Sequence, residues 1–232
     1  MQRRAPDETT AQITTAGARP RRRLRGVLRD ARVICAMVLT APLWLLVLCE
    51  ERLTGGERFF SGCSELLSLF PGTVGIFLRR GFYAITLERF AWDCCLGFGT
   101  TVAHRQVRIA PRVYVGNRCT LGSVNLEEDV TIGSNVDLLS GRRQHGFDEP
   151  GVPIQAQPGS FQQIRIGRNS WIGNSAVVMA DVGEECVVGA GSVVVNALPP
   201  RVVAVGNPAK AVRERIAPAL PDQDGTGPCI GC

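Results

Sequence analysis

Through the C-terminal half of this chain the hydrophobic positions recur every six residues. Ile166-Gly167, Ile172-Gly173, Val182-Gly183 and Val188-Gly189 each set an aliphatic residue before a small one. Upstream the series runs through Ile109, Val115 and Leu121, slips by one residue to Leu126, and continues at Ile132 and Leu138. Four residues after each aliphatic stands a small or branched side chain: Val113, Cys119, Val130, Val136, Ser170, Ala176, Cys186, Ser192. A helix period of 3.6 cannot produce this, and two-residue alternation requires neither the glycine nor the spacing of six. The pattern predicts short parallel strands joined by tight turns. The aliphatic points into a narrow core, and the Gly, Ala, Asn or Asp after it turns the chain.

The rhythm stops between Ser140 and Ile164. Pro150, Pro153 and Pro158, with several glycines, forbid a helix or central strand there, so residues 141–163 are expected to project as a loop. Loops on a rigid scaffold are common carriers of chemistry. This one holds His145, one of only two His, beside Asp148 and Glu149. Either carboxylate would serve to orient the ring; a solvated acidic turn is the alternative.

At the front, Val33 to Cys49 runs 17 residues without a charge, with Pro42 near its centre. At 1.5 Å per residue that is roughly 25 Å, the short limit of a membrane span. Arg residues precede it, which places that end in the cytoplasm. The segment reads as a span, as a secretory signal peptide with no clear cleavage site, or as a stretch kinked at Pro42 and dipping into one leaflet. The last, with the rest of the chain on the cytoplasmic face, is the expectation. The next stretch, Leu66 to Phe90, mixes large apolar residues with Arg79, Arg80 and Arg89. It reads either as an interfacial helix or as a helical cap on the first coil.

Charge separates the leader from the body. Residues 1–32 hold nine Arg against Asp7, Glu8 and Asp30, while the whole chain carries a net charge of +5. A basic leader on a neutral body does not fit a nucleic-acid-binding domain, which spreads its cations over a folded surface. The nine Cys lack paired metal-site spacings and read as free thiols of a reducing compartment, Cys119 and Cys186 as core fillers. Four regions result: a basic, disordered leader at 1–32, an apolar helical membrane-associated region at 33–100, a repeat domain at 101–215, and a flexible tail at 216–232.

The repeats, with "WIG" at Trp171 to Gly173, "VVGAGSVV" at Val187 to Val194 and "GNPAK" at Gly206 to Lys210, resemble the hexapeptide-repeat acyltransferases. The resemblance covers about Val102 to Arg215. It is greatest to the xenobiotic, maltose and galactoside acetyltransferase branch, especially membrane-associated sugar or antibiotic acetyltransferases. It implies a left-handed parallel β-helix, a homotrimer with active sites at its seams, acetyl-CoA as co-substrate, no metal, and His145 as general base without an acyl-enzyme. The acceptor implied is a hydroxyl on a sugar, glycolipid or antibiotic-like molecule.

An imidazole suits that role because it can accept the acceptor's proton and return one to the leaving thiolate near neutral pH. Gly189, Ala190 and Gly191 present too little side chain to block a pantetheine arm, although the turns alone would also call for them. Trp171 corresponds to a position bordering the coenzyme, or is a packing Trp. Gly206 and Pro208 read as a turn before a short C-terminal helix carrying Lys210, the only Lys, and Arg213. These two would meet the coenzyme's phosphates or form a solvated helix end. Two readings from other classes compete: an inactive β-helical scaffold, and a carbonic-anhydrase-like metalloenzyme. The latter wants three His where this chain has two, so His104 is read as structural.

Overall fold

The computed structural model describes residues 19–215; the first half of the leader and the tail lie outside the described residues. Three helices come first, α1 (Arg19–Thr54), α2 (Arg58–Ser68) and α3 (Gly72–Thr86). Sixteen short strands follow, numbered in chain order, and they fall into three sheets. The first holds β1 (Arg89–Phe90), β4 (Arg108–Ile109), β7 (Val124–Leu126) and β10 (Ile164–Ile166), extended by bridges from Ile166 to Val182 and from Val182 to Leu198. The second holds β2 (Cys95–Leu96), β5 (Tyr114–Val115), β8 (Thr131–Ile132), β11 (Trp171–Ile172), β13 (Val187–Val188), β15 (Val202–Val205) and β16 (Lys210–Glu214). The third holds β3 (Thr101–Val102), β6 (Thr120–Leu121), β9 (Asp137–Leu138), β12 (Val177–Val178) and β14 (Val193–Val194). Consecutive strands pass from sheet to sheet, and every pairing is parallel except β15 with β16. This is the parallel β-helix the six-residue period requires, matching the left-handed type.

Most of the two-residue strands bury their second residue. Val115, Ile132, Ile172, Val188 and Ala204 stack in register down the second sheet, and Val102, Leu121, Leu138, Val178 and Val194 down the third, nearly all without exposed surface. The turning residue is not the one expected. The third residue after the aliphatic takes the left-handed conformation: Arg112, Arg118, Asp129, Asn135, Asn169, Ser175, Glu185 and Arg201 all have φ between 53° and 60°. The glycine next to the aliphatic answers a different need, close stacking of coils. A Cβ on Gly167 would stand 2.5 Å from Glu184 N, and one on Gly173 would stand 2.5 Å from Ala190 N. At the fourth position, buried hydroxyls tie coil to coil: Ser170 Oγ donates to Gly183 O (2.8 Å) and accepts from Cys186 N (3.0 Å).

Both ends of the solenoid would expose strand edges, and both are closed. At the N-terminal end α2 and α3 form a cap. Val102 N donates to Ser64 Oγ and Gly99 N to Ser68 O, each at 2.8 Å. Arg79 is buried, its Nε donating to Leu96 O and its Nη1 to Leu67 O and Phe70 O. Of the two readings of this stretch, the cap is the one the packing realises. Its Tyr83 hydroxyl bonds Ser64 at 2.8 Å, and burial pushes its pKa up to about 12. The helix α1 runs unbroken through Pro42 and reaches back to Arg19, so part of the expected leader is helical. At the C-terminal end the expected short helix is absent. The chain reverses at Gly206–Pro208 and returns as β16, pairing Lys210 with Val205 and Arg213 with Val203. The open edge of β15 explains the choice: a strand satisfies its backbone groups, and a helix would leave them bare.

Candidate active site

The loop after β9 leaves the third sheet at Leu138 and rejoins the first at Ile164. It is folded on itself. Ser160 N donates to Arg143 O (2.6 Å) and Gln162 N to Ser140 O (2.9 Å), so the outgoing and returning legs run side by side. Their approach requires glycine, since a Cβ on Gly159 would sit 1.9 Å from Gln144 O. Gln157 is buried and holds the bend: its Nε2 donates to Glu149 O (3.1 Å) and Val152 O (2.9 Å), and its Oε1 accepts from Glu149 N (3.1 Å). Nothing in its sequence surroundings marked Gln157, because the pairs it closes exist only once the legs meet.

His145 lies in the outgoing leg with its side chain exposed. Of the two neighbouring carboxylates, Asp148 is committed elsewhere. It pairs with Arg143 at 2.9 Å, and that guanidinium covers the Phe147 ring at 5.6 Å. At the base of the loop lies an open groove of about 570 Å³, lined by Arg142, Gln162, Met179, Asp181 and Asn196 among others. Arg142 Nη1 donates to Asn196 Oδ1 across it at 3.0 Å. The second histidine, His104, lies between the cap and the loop. His104 Nδ1 is 3.2 Å from Glu57 Oε2 at the start of α2, and its ring meets Phe161 of the returning leg edge-on at 5.7 Å. Among the described residues no three His, Cys, Asp or Glu side chains gather as metal ligands.

The other predicted residues assemble on the second sheet and at its junction with the third. Trp171 projects outward, 54% exposed, between Thr131 and Val187, and the same row continues through Val203 to Arg213. Lys210 lies opposite Val205, the side chain that a Cβ on Gly189 would meet at 2.7 Å. Gly189–Gly191 forms the turn from β13 to β14, tied by Gly191 N to Asn174 O at 2.8 Å. Ala190 and Gly191 are exposed, and a Cβ on Gly191 would meet nothing within 4 Å. The structure thus gathers Trp171, Gly189, Ala190, Gly191, Lys210 and Arg213 on one part of the molecule. His145 lies on the loop that joins the third sheet to the first.

Residues 163–196 match the model of the hexapeptide repeat of succinyl-transferase. The chain is 31% identical over 119 residues to a putative acetyltransferase of Schizosaccharomyces pombe, which covers 47% of this chain and 53% of that protein. To a galactoside O-acetyltransferase of Escherichia coli it is 36% identical over 95 residues, 40% of this chain and 44% of the relative. It therefore spans about half the length of these curated relatives. Among solved structures, a maltose O-acetyltransferase from Clostridium difficile superposes with a TM-score of 0.62 at 18% identity, covering 69% of this chain and 87% of that one. A hexapeptide-repeat acetyltransferase from Vibrio cholerae complexed with acetyl-CoA gives 0.59 at 20% identity, covering 69% and 87%. At those identities the structures speak for the fold. The repeat in residues 163–196, the similarity to named acetyltransferases and the β-helix common to the solved structures make the chain similar to the hexapeptide-repeat acetyltransferases.

Proposed function

We propose that this protein transfers an acetyl group from acetyl-CoA to a hydroxyl of a sugar, glycolipid or antibiotic-like acceptor, as a homotrimer on the cytoplasmic face of a membrane. The observation that carries this reading is the exposed, side-chain-poor turn Gly189–Gly191 with Trp171 and the cations Lys210 and Arg213 around it. The fit to acetyl-CoA is physical. Open space over Gly191 admits a thin arm close to backbone, and two cations on one exposed strand suit phosphates. Relatives named as galactoside and maltose O-acetyltransferases support a sugar hydroxyl as acceptor.

Acetyl-CoA supplies the activated thioester. His145 accepts the hydroxyl's proton as that oxygen bonds to the acetyl carbon, and as the carbon–sulfur bond breaks it returns the proton to the departing thiolate. One proton moves in and out, and no residue is acylated. Because His145 and the coenzyme residues occupy different edges of one solenoid, a complete site needs the histidine of one subunit beside the turn of its neighbour.

The test is a transfer assay over mixed glycosides with the product weighed by mass spectrometry. His145→Ala should lower kcat by about 10² to 10⁴-fold, with acetyl-CoA affinity unchanged because the side chain fills no core position. Full turnover in that variant, or acetyl-CoA binding too weak to detect in the wild type, would overturn the reading and favour an inactive scaffold.

A further inference from the structure

The helix α1 has two dissimilar sides. On one, Ala36, Thr40, Val47 and Glu50 are buried. There the backbones of α1 and α3 are in contact, since a Cβ on Gly81 would stand 2.5 Å from Ala36 O. Near its end the Glu50 carboxylate accepts from Arg58 N (3.1 Å) and Phe59 N (2.6 Å), capping α2. From Ala36 to Glu50 the helix is therefore fastened to the solenoid's own cap. On the other side Ile34, Val38, Leu39, Leu45, Leu46 and Leu53 are between 50% and 83% exposed. At 3.6 residues per turn they fall within an arc of about 140°. A helix on the surface of a protein in water carries its charges on that arc, and residues 33–49 have none.

A 24-residue apolar stretch, Ala31–Thr54, is long enough to cross a membrane by length and composition. Crossing would strip Ala36–Glu50 from α3 and leave α2 without its capping carboxylate. We infer that α1 instead lies in the plane of an anionic bilayer, its outer arc buried in one leaflet while its inner side stays on α3. The inference rests on the membrane association proposed above and names its mode and lipid class. Anionic lipid is the occupant that the charge favours, because residues 1–32, ahead of the uncharged run 33–49, carry nine Arg against three acids. Two copies of α1 pairing in parallel through this arc would bring those cationic runs together.

Cys35 and Cys49 are both exposed and fall within the arc, so they report depth directly. In full-length protein with Cys229 and Cys232 changed to Ser, a fluorophore is placed on one while the other is Ser. Quenching by spin-labelled lipids is read on vesicles of phosphatidylcholine with phosphatidylserine. An in-plane helix puts both labels at one shallow depth, whereas a span separates them by about 21 Å along the axis. Leu45→Asp with Leu46→Asp should reduce vesicle partitioning roughly tenfold or more, the Ala pair at the same positions should reduce it less, and pure phosphatidylcholine should bind more weakly. Binding with unequal depths overturns the in-plane mode and leaves membrane association standing. Failure to bind either vesicle overturns both, and self-association that the Asp pair abolishes would then identify a second copy as the occupant.

Discussion

Gly173 and Gly191 stand in two stacked turns of the solenoid, and their backbones explain them differently. Gly173 is required by its neighbour: its Cβ would meet Ala190 N at 2.5 Å, backbone against backbone. Gly191 faces open space and has φ +68°, a conformation that eight non-glycine residues accept elsewhere in the coils. Gly173→Ala should therefore lower stability by roughly 1–3 kcal/mol through coil separation, seen as a fall in Tm. Gly191→Ala should cost about 1 kcal/mol and show its main effect in calorimetry, as weaker acetyl-CoA binding. Equal losses of Tm with unchanged binding would assign Gly191 to turn geometry alone.

At the scale of elements, β16 and the ion-pair column between the first and second sheets have separable jobs. Every residue of β16 is exposed, so Lys210→Glu with Arg213→Glu should leave Tm nearly unchanged. It should raise the Kd for acetyl-CoA about tenfold or more, with the acceptor's KM little changed; equal losses for both substrates would mean the strand serves the fold. The ion-pair column is structural. Arg112 bonds Asp129 (2.6 Å) and Glu128 (3.0 Å), and Arg165 bonds Glu127 (2.5 Å). The Arg112 guanidinium holds the Asp129 carboxyl below its usual range, and Arg165 does the same for Glu127. A carboxylate depressed on folding stabilises fully above its unfolded pKa, here 3.8 and 4.5, and that contribution is lost as pH falls through the lower folded value. Tm should thus be flat near neutrality and decline below about pH 4.5, with a shallower decline in Arg112→Gln/Arg165→Gln and in high salt, since the pairs are half-exposed. An acid decline of the same slope in that double variant would place the acid-sensitive groups elsewhere.

For the whole molecule, His145 and the coenzyme-side residues leave the coil at different corners, the loop from the third sheet to the first and the turn from the second to the third, and the proposed trimer is what would bring them together. Light scattering is expected to give three times the 25.0 kDa of a single chain. Mixing two impaired variants, at acetyl-CoA well below the Kd of the double Glu variant, sharpens the test. His145→Ala lacks the base and Lys210→Glu/Arg213→Glu lacks the phosphate contacts. In randomly mixed trimers, about a quarter of the seams join an intact histidine to an intact coenzyme face, so activity should return to that level. A fully active monomer, or mixtures that stay inactive, would place the complete site inside one chain.

Much of this was legible along the chain because a β-helix is a local code. The aliphatics at Ile109, Val115, Ile132, Ile166 and Ile172 repeat at short range, and each strand they predicted exists with that residue buried. The loop at 141–163 was equally plain, since three prolines cannot enter the coil. What only the tertiary structure decided depends on partners far away in sequence. The glycines after the aliphatics answer to the next coil, not to the turn, and the left-handed position falls to residues such as Arg112 and Glu185 that no composition rule selects. Lys210 and Arg213 lie on a strand because β15 offered an open edge, which overrode the local preference for a helix. The sequence alone also carried the apolar character of residues 33–49. That one side of this segment is already spent on α3, leaving a single arc to be covered, follows from Gly81 meeting Ala36 and Glu50 meeting α2, contacts set by packing.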